Sequence, residues 1–168
     1  GDALHEAGRD DAVGVDVAAV IPALADFISV KRRMEVIGVA HGVTVYDDFA
    51  HHPTAIQTTL EGLRAKVDKA RILVAMEPRS NSMRLGAHSL QIAPSLNTAD
   101  AVVFLQRPEL PWDAEAVLSA LKGEGRKVAT VDALIETLRT SARDGDHIVF
   151  MSNGGFEDAP RRCLAALQ

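Results

Sequence analysis

A short strand that leads into a proline-initiated helix constrains the fold of this chain more than any other stretch. Residues 43–56 read VTVYDDFAHHPTAI, and the β-branched and aromatic residues up to Tyr46 predict a buried strand that reaches the surface at its charged end. Pro53 suits the first turn of a helix, and its ring disfavours the α conformation at His52. The chain must therefore turn between Asp48 and His52.

Two carboxylates and two imidazoles fall within or beside this turn, at Asp47, Asp48, His51 and His52. In an open α/β sheet such turns lie at the carboxyl edge of the strands, where ligands bind. Each residue taken singly is equally well explained as a helix cap or a solvated group. Together they predict a ligand site, with a divalent metal site of a hydrolase as one alternative.

Composition narrows the class of protein. The chain has 168 residues with 47% hydrophobic and 4% aromatic content, which suits one Ala/Val/Leu-rich α/β domain. A net charge of −5 argues against a nucleic-acid partner, and no apolar run approaches the roughly 20 residues of a membrane span. The single cysteine, Cys163, cannot form an internal disulfide and is interpreted as a core thiol, so a reducing cytoplasm is the expected location.

Strand-like and helix-like patterns alternate along most of the chain. A hairpin is predicted around the turn His41-Gly42, because glycine adopts positive φ without steric cost. Further strands are predicted at 71–76, 101–105, 127–131 and 147–151, and helices at 54–69, 89–99, 114–121, 134–142 and 160–167. Right-handed crossovers then require an α/β fold with a mixed, mostly parallel sheet and helices on both faces.

Two more polar segments follow predicted strands. In the segment EPRSNSMR at 77–84, Arg79 and Arg84 are candidates to grip carboxylates of an acidic peptide, because a guanidinium can donate two parallel hydrogen bonds. Pairing with Glu77 or a helix end is an equally good explanation. After the last strand, the turn SNGG at 152–155 can present backbone N–H groups to a ligand. The basic residues at 31–33 are explained without a ligand as a solvated cluster.

Three motifs, together with KRRME at 31–35, resemble one known family. The segments DDFAHHPT at 47–54, EPRSNSMR at 77–84 and MSNGGF at 151–156 are similar to the C-terminal domain of the Mur ligases, ATP-dependent enzymes that build the peptide stem of bacterial peptidoglycan. The last two narrow the resemblance to the recycling branch, which joins L-Ala-γ-D-Glu-meso-diaminopimelate to UDP-N-acetylmuramate. That branch usually continues Gly-Gly-Phe with Gly-Gly, whereas this chain has EDAP at 157–160.

The resemblance implies a Rossmann-like fold and a role for each motif. ATP and Mg²⁺ activate a carboxylate of UDP-N-acetylmuramate, and an amine of the peptide attacks it in a cleft between domains. Arg33 and Asp48 are expected to contact the nucleotide, and His51 and His52 to lie at the acyl-transfer cleft. The tripeptide is expected to contact a third group of residues: Arg79, Asn81, Arg84, Ser152 and Asn153.

The resemblance also implies how the chain is divided. Residues 1–28, with helices predicted at 2–7 and 17–27, correspond to the tail of a central ATPase domain and the approach to a hinge, and residues 29–168 to the C-terminal domain. A chain that begins with Gly1 suggests an excised piece of a longer protein. No Gly-x-x-x-x-Gly-Lys-Ser/Thr phosphate loop is present in the sequence, so the piece alone is expected to be inactive, with most of the ATP and Mg²⁺ contacts in the central domain.

The implied partners are UDP-N-acetylmuramate, the tripeptide and the protein's own N-terminal and central domains. Three alternatives stay open at this point. The chain could belong to a UDP-N-acetylmuramate–L-alanine ligase or another Mur ligase, to a metal-dependent hydrolase that uses Asp47, Asp48, His51 and His52, or to a pure binding domain.

Overall fold

The structure, a computed structural model, describes residues 32–79, 89–108 and 114–168. The predicted helices at 2–7 and 17–27, the boundary at residue 28, and the side chains of Asn81, Arg84 and Trp112 lie outside the described residues. Lys31–Gln168 forms one compact unit. Within the described ranges, every helix is too short or too polar to cross a bilayer.

Strands and helices alternate from the first hairpin to the last helix. The strands are β1 (Glu35–Ala40), β2 (Val43–Asp48), β3 (Ile72–Met76), β4 (Ala101–Leu105), β5 (Glu124–Val128) and β6 (His147–Met151). The helices are α1 (Pro53–Val67), α2 (Ser89–Ser95), α3 (Ala114–Ala120), α4 (Val131–Ser141) and α5 (Ala159–Ala166), and a short 3-10 turn (Phe156–Asp158) precedes α5. Most of these bounds agree with the predicted ones to within two residues.

The strands form one sheet in the order β1-β2-β6-β3-β4-β5. β1 pairs antiparallel with β2, whereas every other neighbouring pair is parallel. The predicted mixed, mostly parallel sheet is therefore confirmed. The hairpin turn is also where the sequence places it, with φ of 45° at His41 and 74° at Gly42, so both residues of the turn adopt the left-handed conformation that primed hairpin turns require.

Helices cover both faces of the sheet, as predicted, and the four strands β2, β3, β4 and β6 each contribute to two hydrophobic layers. In β3, Ile72, Val74 and Met76 pack with α1, α2 and α3, whereas Leu73 and Ala75 pack with α4 and α5. All five β3 residues are buried, which explains their continuous apolar run. A strand buried in this way fixes the position of the residues that follow it, and Glu77 is the first of these.

One strand, the start of one helix and the end of another were predicted wrongly. The helix predicted at 89–99 ends at Ser95, one residue after Pro94. The sequence predicts a strand at 127–131, but β5 ends at Val128 and α4 begins at Val131. Thr130 explains the difference, because its extended backbone and the hydrogen bond that its side chain accepts from Ala133 N make it the N-cap of α4. β5 is the edge strand beside β4, and its first four residues, EGRK, are exposed and carry no strand-like apolar pattern.

Candidate functional site

The carboxyl ends of three adjacent strands are joined by backbone hydrogen bonds. Ser152 N donates to Asp48 O over 3.2 Å, and Glu77 N donates to Met151 O over 3.1 Å. The residues that end β2, β6 and β3 therefore lie side by side at one edge of the sheet. The alternation of strands and helices in the sequence predicts that Asp48, Glu77 and Ser152 share one edge, where open α/β sheets bind ligands, and this prediction is confirmed.

Asp48 is almost completely buried at this edge. One carboxylate oxygen accepts a hydrogen bond from Met34 N over 2.7 Å, and the other accepts one from Ala50 N over 2.8 Å. Burial raises the pKa of the Asp48 carboxyl above its ordinary value, while the two backbone N–H groups and the Arg33 cation oppose the rise. The carboxylate is thereby held in one orientation by the strand-to-helix turn and the residue before β1.

A pocket of about 210 Å³ opens beside this carboxylate. It is lined by Arg33, Asp48, Phe49, Ala50, His51, Ala55 and Thr59. The two residues predicted to contact a nucleotide, Arg33 and Asp48, and one of the two predicted catalytic histidines, His51, thus meet in a single cavity. A cation, a fixed carboxylate and an imidazole in one pocket suit a ligand that has anionic groups and hydroxyl groups.

The two histidines differ in their surroundings. His51 Nδ1 lies 2.9 Å from Phe49 O, and since a carbonyl oxygen can only accept, Nδ1 carries the proton and Nε2 is the acceptor in the neutral ring. The ring of Phe49 packs edge-on against that of His51 with centroids 5.2 Å apart. His52 is exposed, has extended backbone angles and precedes the first turn of α1. The contacts with Phe49 therefore hold His51 in a fixed orientation within the pocket.

Asp47 and Arg32 bind each other on the opposite side of β2. Arg32 Nε donates to Asp47 over 3.0 Å and Arg32 Nη2 donates to Ser152 O over 2.7 Å, while its guanidinium carbon lies 5.6 Å from the centre of the Phe49 ring. Arg32 therefore links the hairpin to the end of β6 and is not part of a solvated cluster. Arg33, which follows it, is exposed and lines the pocket.

The metal-dependent hydrolase is not supported by this geometry. Asp47 pairs with Arg32, and two backbone amides orient the Asp48 carboxylate. In the part of the chain that the structure describes, no three His, Cys, Asp or Glu side chains come together as metal ligands would.

A second polar cluster lies at the ends of β3, β4 and β6, around the buried carboxylate of Glu77. Ser152 Oγ donates to Glu77 Oε2 over 2.8 Å and accepts from Gly154 N over 3.0 Å. The predicted peptide-binding residue Arg79 is half exposed, with Nη1 at 4.0 Å from Glu77 Oε2. Ser152 is fully buried, so within the chain its hydroxyl holds the turn after β6 against Glu77. Asn153, in that turn, is partly exposed.

Sequence reasoning missed Arg107, which binds Glu77 through two nitrogens. Its Nε and Nη2 lie 3.2 and 2.9 Å from Glu77 Oε1, and Nη2 also donates to Glu157 over 2.6 Å. A signal was present, because Arg107 follows the buried strand β4 just as Glu77 follows β3. Glu157 belongs to the segment that departs from the recycling branch, and here it is a partner of Arg107.

These features define an α/β domain that presents two polar clusters at the carboxyl edge of a mixed sheet. The chain belongs to the family described as Mur ligase, glutamate ligase domain, which matches residues 32–154. The resemblance of the three sequence motifs to this family is therefore confirmed.

Curated relatives of the chain carry the names of two different UDP-N-acetylmuramate ligases. The chain is 47% identical over 156 residues to the UDP-N-acetylmuramate–L-alanyl-γ-D-glutamyl-meso-2,6-diaminoheptandioate ligase of Escherichia coli, covering 92% of this chain and 34% of that protein. It is 36% identical over 167 residues to a UDP-N-acetylmuramate–L-alanine ligase of Streptomyces coelicolor, covering 93% of this chain and 36% of that protein. The chain thus spans about a third of the length of the curated relatives that it matches.

Solved structures agree with the family. A murein peptide ligase from Psychrobacter arcticus superposes with a TM-score of 0.76 at 41% identity, covering 92% of this chain and 34% of that chain. A domain from a Haemophilus ducreyi protein, provisionally named as the diaminopimelate-tripeptide ligase, superposes with a TM-score of 0.70 at 43% identity, covering 81% of this chain and all of that chain.

Proposed function

We propose that this chain is the C-terminal domain of an ATP-dependent ligase that joins L-Ala-γ-D-Glu-meso-diaminopimelate to UDP-N-acetylmuramate. The identity of 47% to the Escherichia coli ligase that carries these substrates in its name is the observation that carries the proposal. The domain belongs to a cytoplasmic enzyme of cell-wall recycling, and its partners are the N-terminal and central domains of the same protein.

The pocket beside Asp48 is the proposed contact with ATP. Asp48 accepts one hydrogen bond on each oxygen, and each oxygen has a second lone pair with which to accept from a ribose hydroxyl group. Arg33 supplies a positive charge in the same pocket. These residue types fit a nucleotide, and ATP with Mg²⁺ supplies the phosphoryl group that activates the lactyl carboxylate of UDP-N-acetylmuramate.

His51 and His52 are the proposed residues of the acyl-transfer cleft. Because His51 Nδ1 donates to Phe49 O, its Nε2 can accept a proton from the incoming amine or orient that amine by a hydrogen bond. The roles of the two histidines are separable, because His51 is fixed by its carbonyl contact and His52 is exposed at the start of α1.

The cluster around Glu77 is the proposed peptide site. Arg79, Asn81 and Arg84 are proposed to bind carboxylates of the tripeptide, and Asn153 with the backbone of the Ser152 turn is proposed to complete the site. Docking of the peptide on this domain brings its amine to the activated carboxylate when the domains close. Orientation of that kind can supply about 7–11 kcal/mol of the barrier.

The experiment is ADP release by the full-length protein with ATP, Mg²⁺ and UDP-N-acetylmuramate, comparing the tripeptide with L-alanine as the amine. Tripeptide-dependent ADP release and mass spectrometry of the joined product are expected. Release that depends on L-alanine instead would make the protein a UDP-N-acetylmuramate–L-alanine ligase, the second candidate, which the identity of 36% to the Streptomyces coelicolor enzyme favours.

A further inference from the structure

The carboxylate of Glu77 is the centre of the second cluster, and its side chain is completely buried. An ionised carboxylate removed from water is costly unless a cation and hydrogen-bond donors compensate for the loss of hydration. Arg107 donates two N–H groups to Oε1, and Ser152 Oγ donates to Oε2. Each oxygen of Glu77 therefore has a partner inside the domain.

Among the residues that the structure describes, two arginines approach this carboxylate, and they do so differently. The side chain of Arg107 is 27% exposed and lies within hydrogen-bond distance of Glu77 through two nitrogens. The side chain of Arg79 is 50% exposed, and its Nη1 lies 4.0 Å from Glu77, beyond hydrogen-bond distance. The charge of Glu77 is thus balanced mainly by Arg107, while Arg79 stands at its edge and faces solvent.

The turn after β6 gives Arg79 its place. A Cβ added at Gly154 would lie 2.3 Å from Arg79 Nη1 and 2.8 Å from its Cδ, so the side chain of Arg79 rests directly on the backbone of Gly154. Gly154 N in turn donates to Ser152 Oγ, which donates to Glu77. The position of the Arg79 side chain and the negative charge next to it therefore both depend on the hydrogen bonds that hold Glu77 in place.

We propose that Arg107 is a positioning residue for the peptide site. By neutralising Glu77 from the β4 side, it keeps Arg79 from collapsing onto Glu77 and leaves the Arg79 guanidinium turned toward a carboxylate of an acidic peptide. Without Arg107, Arg79 becomes the nearest cation to the Glu77 carboxylate among the described residues, and pairing with Glu77 competes with binding the substrate. This inference rests on the proposed function for the identity of the anionic ligand.

The kinetic test uses the full-length protein with Arg107→Ala. We expect the KM for the tripeptide to rise roughly tenfold or more, with kcat and the KM for ATP changed by less than about twofold. Arg107→Lys is expected to rescue part of the loss, because lysine retains the charge but not the two parallel donors. Arg139→Ala is the matched control, since it removes an arginine that pairs with Glu136 on the surface of α4.

The double variant Glu77→Gln with Arg107→Ala separates positioning from other roles. Glutamine keeps the shape and an acceptor for Ser152 but removes the charge that would attract Arg79, so much of the lost tripeptide affinity should return. An unchanged tripeptide KM in Arg107→Ala, or no recovery in the double variant, overturns the proposal. Absence of recovery would mean that Arg107 touches the substrate itself or only supports the fold.

A crystal structure of the substrate-free Arg107→Ala protein decides the proposal independently of the reaction. The distance from Arg79 Nη1 to Glu77 Oε2, now 4.0 Å, is expected to shorten to about 3 Å. A distance that stays at 4.0 Å or grows overturns the proposal. If the unaltered protein does not use the tripeptide, the proposed function fails, and this distance still decides whether Arg107 positions Arg79.

Discussion

Ser152 Oγ donates a hydrogen bond of 2.8 Å to Glu77 Oε2 and so joins the ends of β6 and β3 beneath the proposed peptide site. The two residues are 75 positions apart in the chain and are both buried. Their contact ties the loop that carries Arg79 to the turn that carries Asn153. One buried pair therefore positions two loops whose residues Arg79 and Asn153 are proposed to contact the substrate.

The first prediction concerns that pair. Ser152→Ala leaves an oxygen of a buried carboxylate without a donor, so the free energy of unfolding should fall by about 1–3 kcal/mol. Urea denaturation of the unaltered and variant chains measures the change. Ser119→Ala is the control, because the exposed Ser119 hydroxyl donates to Glu115 O within its own helix, and it should change stability by less than about 0.5 kcal/mol. Equal stability of the two variants would contradict the prediction.

The second prediction concerns Arg79 as a contact of the substrate. In the full-length protein, Arg79→Ala should raise the tripeptide KM strongly and leave the KM for ATP little changed. The variant leaves a carboxylate of the bound peptide without its partner, and an unpaired buried charge costs about 2–5 kcal/mol. Steady-state kinetics with each substrate varied in turn provides the measurement. We expect the same from Arg84→Ala. A rise confined to the KM for ATP would mean that this loop binds ATP and not the peptide.

The third prediction concerns pH. Burial raises the pKa of Asp48 above 3.8, so the folded state binds this proton more tightly than the unfolded state does. Between pH 3.8 and the raised pKa, the contribution of Asp48 to stability therefore falls as pH rises, and it is constant above that pKa. Carboxyl ¹³C NMR titration should place Asp48 above 3.8 and Glu136, whose pKa is lowered by Arg139, below 4.5. An Asp48 midpoint at or below 3.8 would reverse the sign.

The fourth prediction concerns Cys163, a buried residue of α5, the helix that contacts β1 and β2. Burial raises the pKa of this thiol to about 12, and the residue is completely inaccessible in the fold. Because the thiolate is the reactive form, a disulfide reagent at pH 8 should label Cys163 only after unfolding in denaturant. Labelling at the same rate with and without denaturant would show that the thiol is accessible.

Local patterns were sufficient for the parts of the fold that depend on nearby residues. The turn from Asp48 to Pro53, the buried run of β3 and the glycine of the hairpin each follow from a single stretch of sequence. β5 could not be predicted in this way, because it is held by its pairing with β4 and has four exposed residues. The strand was therefore predicted three residues too late, at 127–131. Val131 is instead the first residue of α4, whose N-cap is Thr130.

The candidate site likewise has features that depend on nearby residues and features that depend on long-range contacts. The common edge of Asp48, Glu77 and Ser152 could be predicted, because each ends a strand of a mostly parallel sheet. The partners of the charged groups could not be predicted, since Arg32 contacts Ser152 across 120 positions and Arg107 contacts Glu77 across 30. Only the three-dimensional structure shows that Arg32 links the hairpin to the end of β6, that Arg107 is the counter-charge of Glu77 and that Arg79 faces solvent.

The final prediction is that this chain folds alone but catalyses nothing. A Haemophilus ducreyi domain that this chain covers completely was crystallised as a domain, which favours independent folding, whereas the chain spans only 34% of the Escherichia coli ligase. Arg33 and Asp48 can contact a nucleotide from one side. A few contacts of about 0.5–1.5 kcal/mol each must offset the several kcal/mol lost on association, so the Kd for ATP should be about millimolar or weaker.

Calorimetry of ATP binding and an assay of ADP release, each on this chain and on the full-length protein, test that prediction. The full-length protein should bind ATP more tightly and release ADP when UDP-N-acetylmuramate and tripeptide are both present. Loss of the full-length signal on Asp48→Ala, with the fold intact, would support the proposed nucleotide contact. Micromolar ATP binding or substrate-dependent ADP release by the 168-residue chain would mean that the active site is complete within it, and that a domain-closure mechanism is not needed.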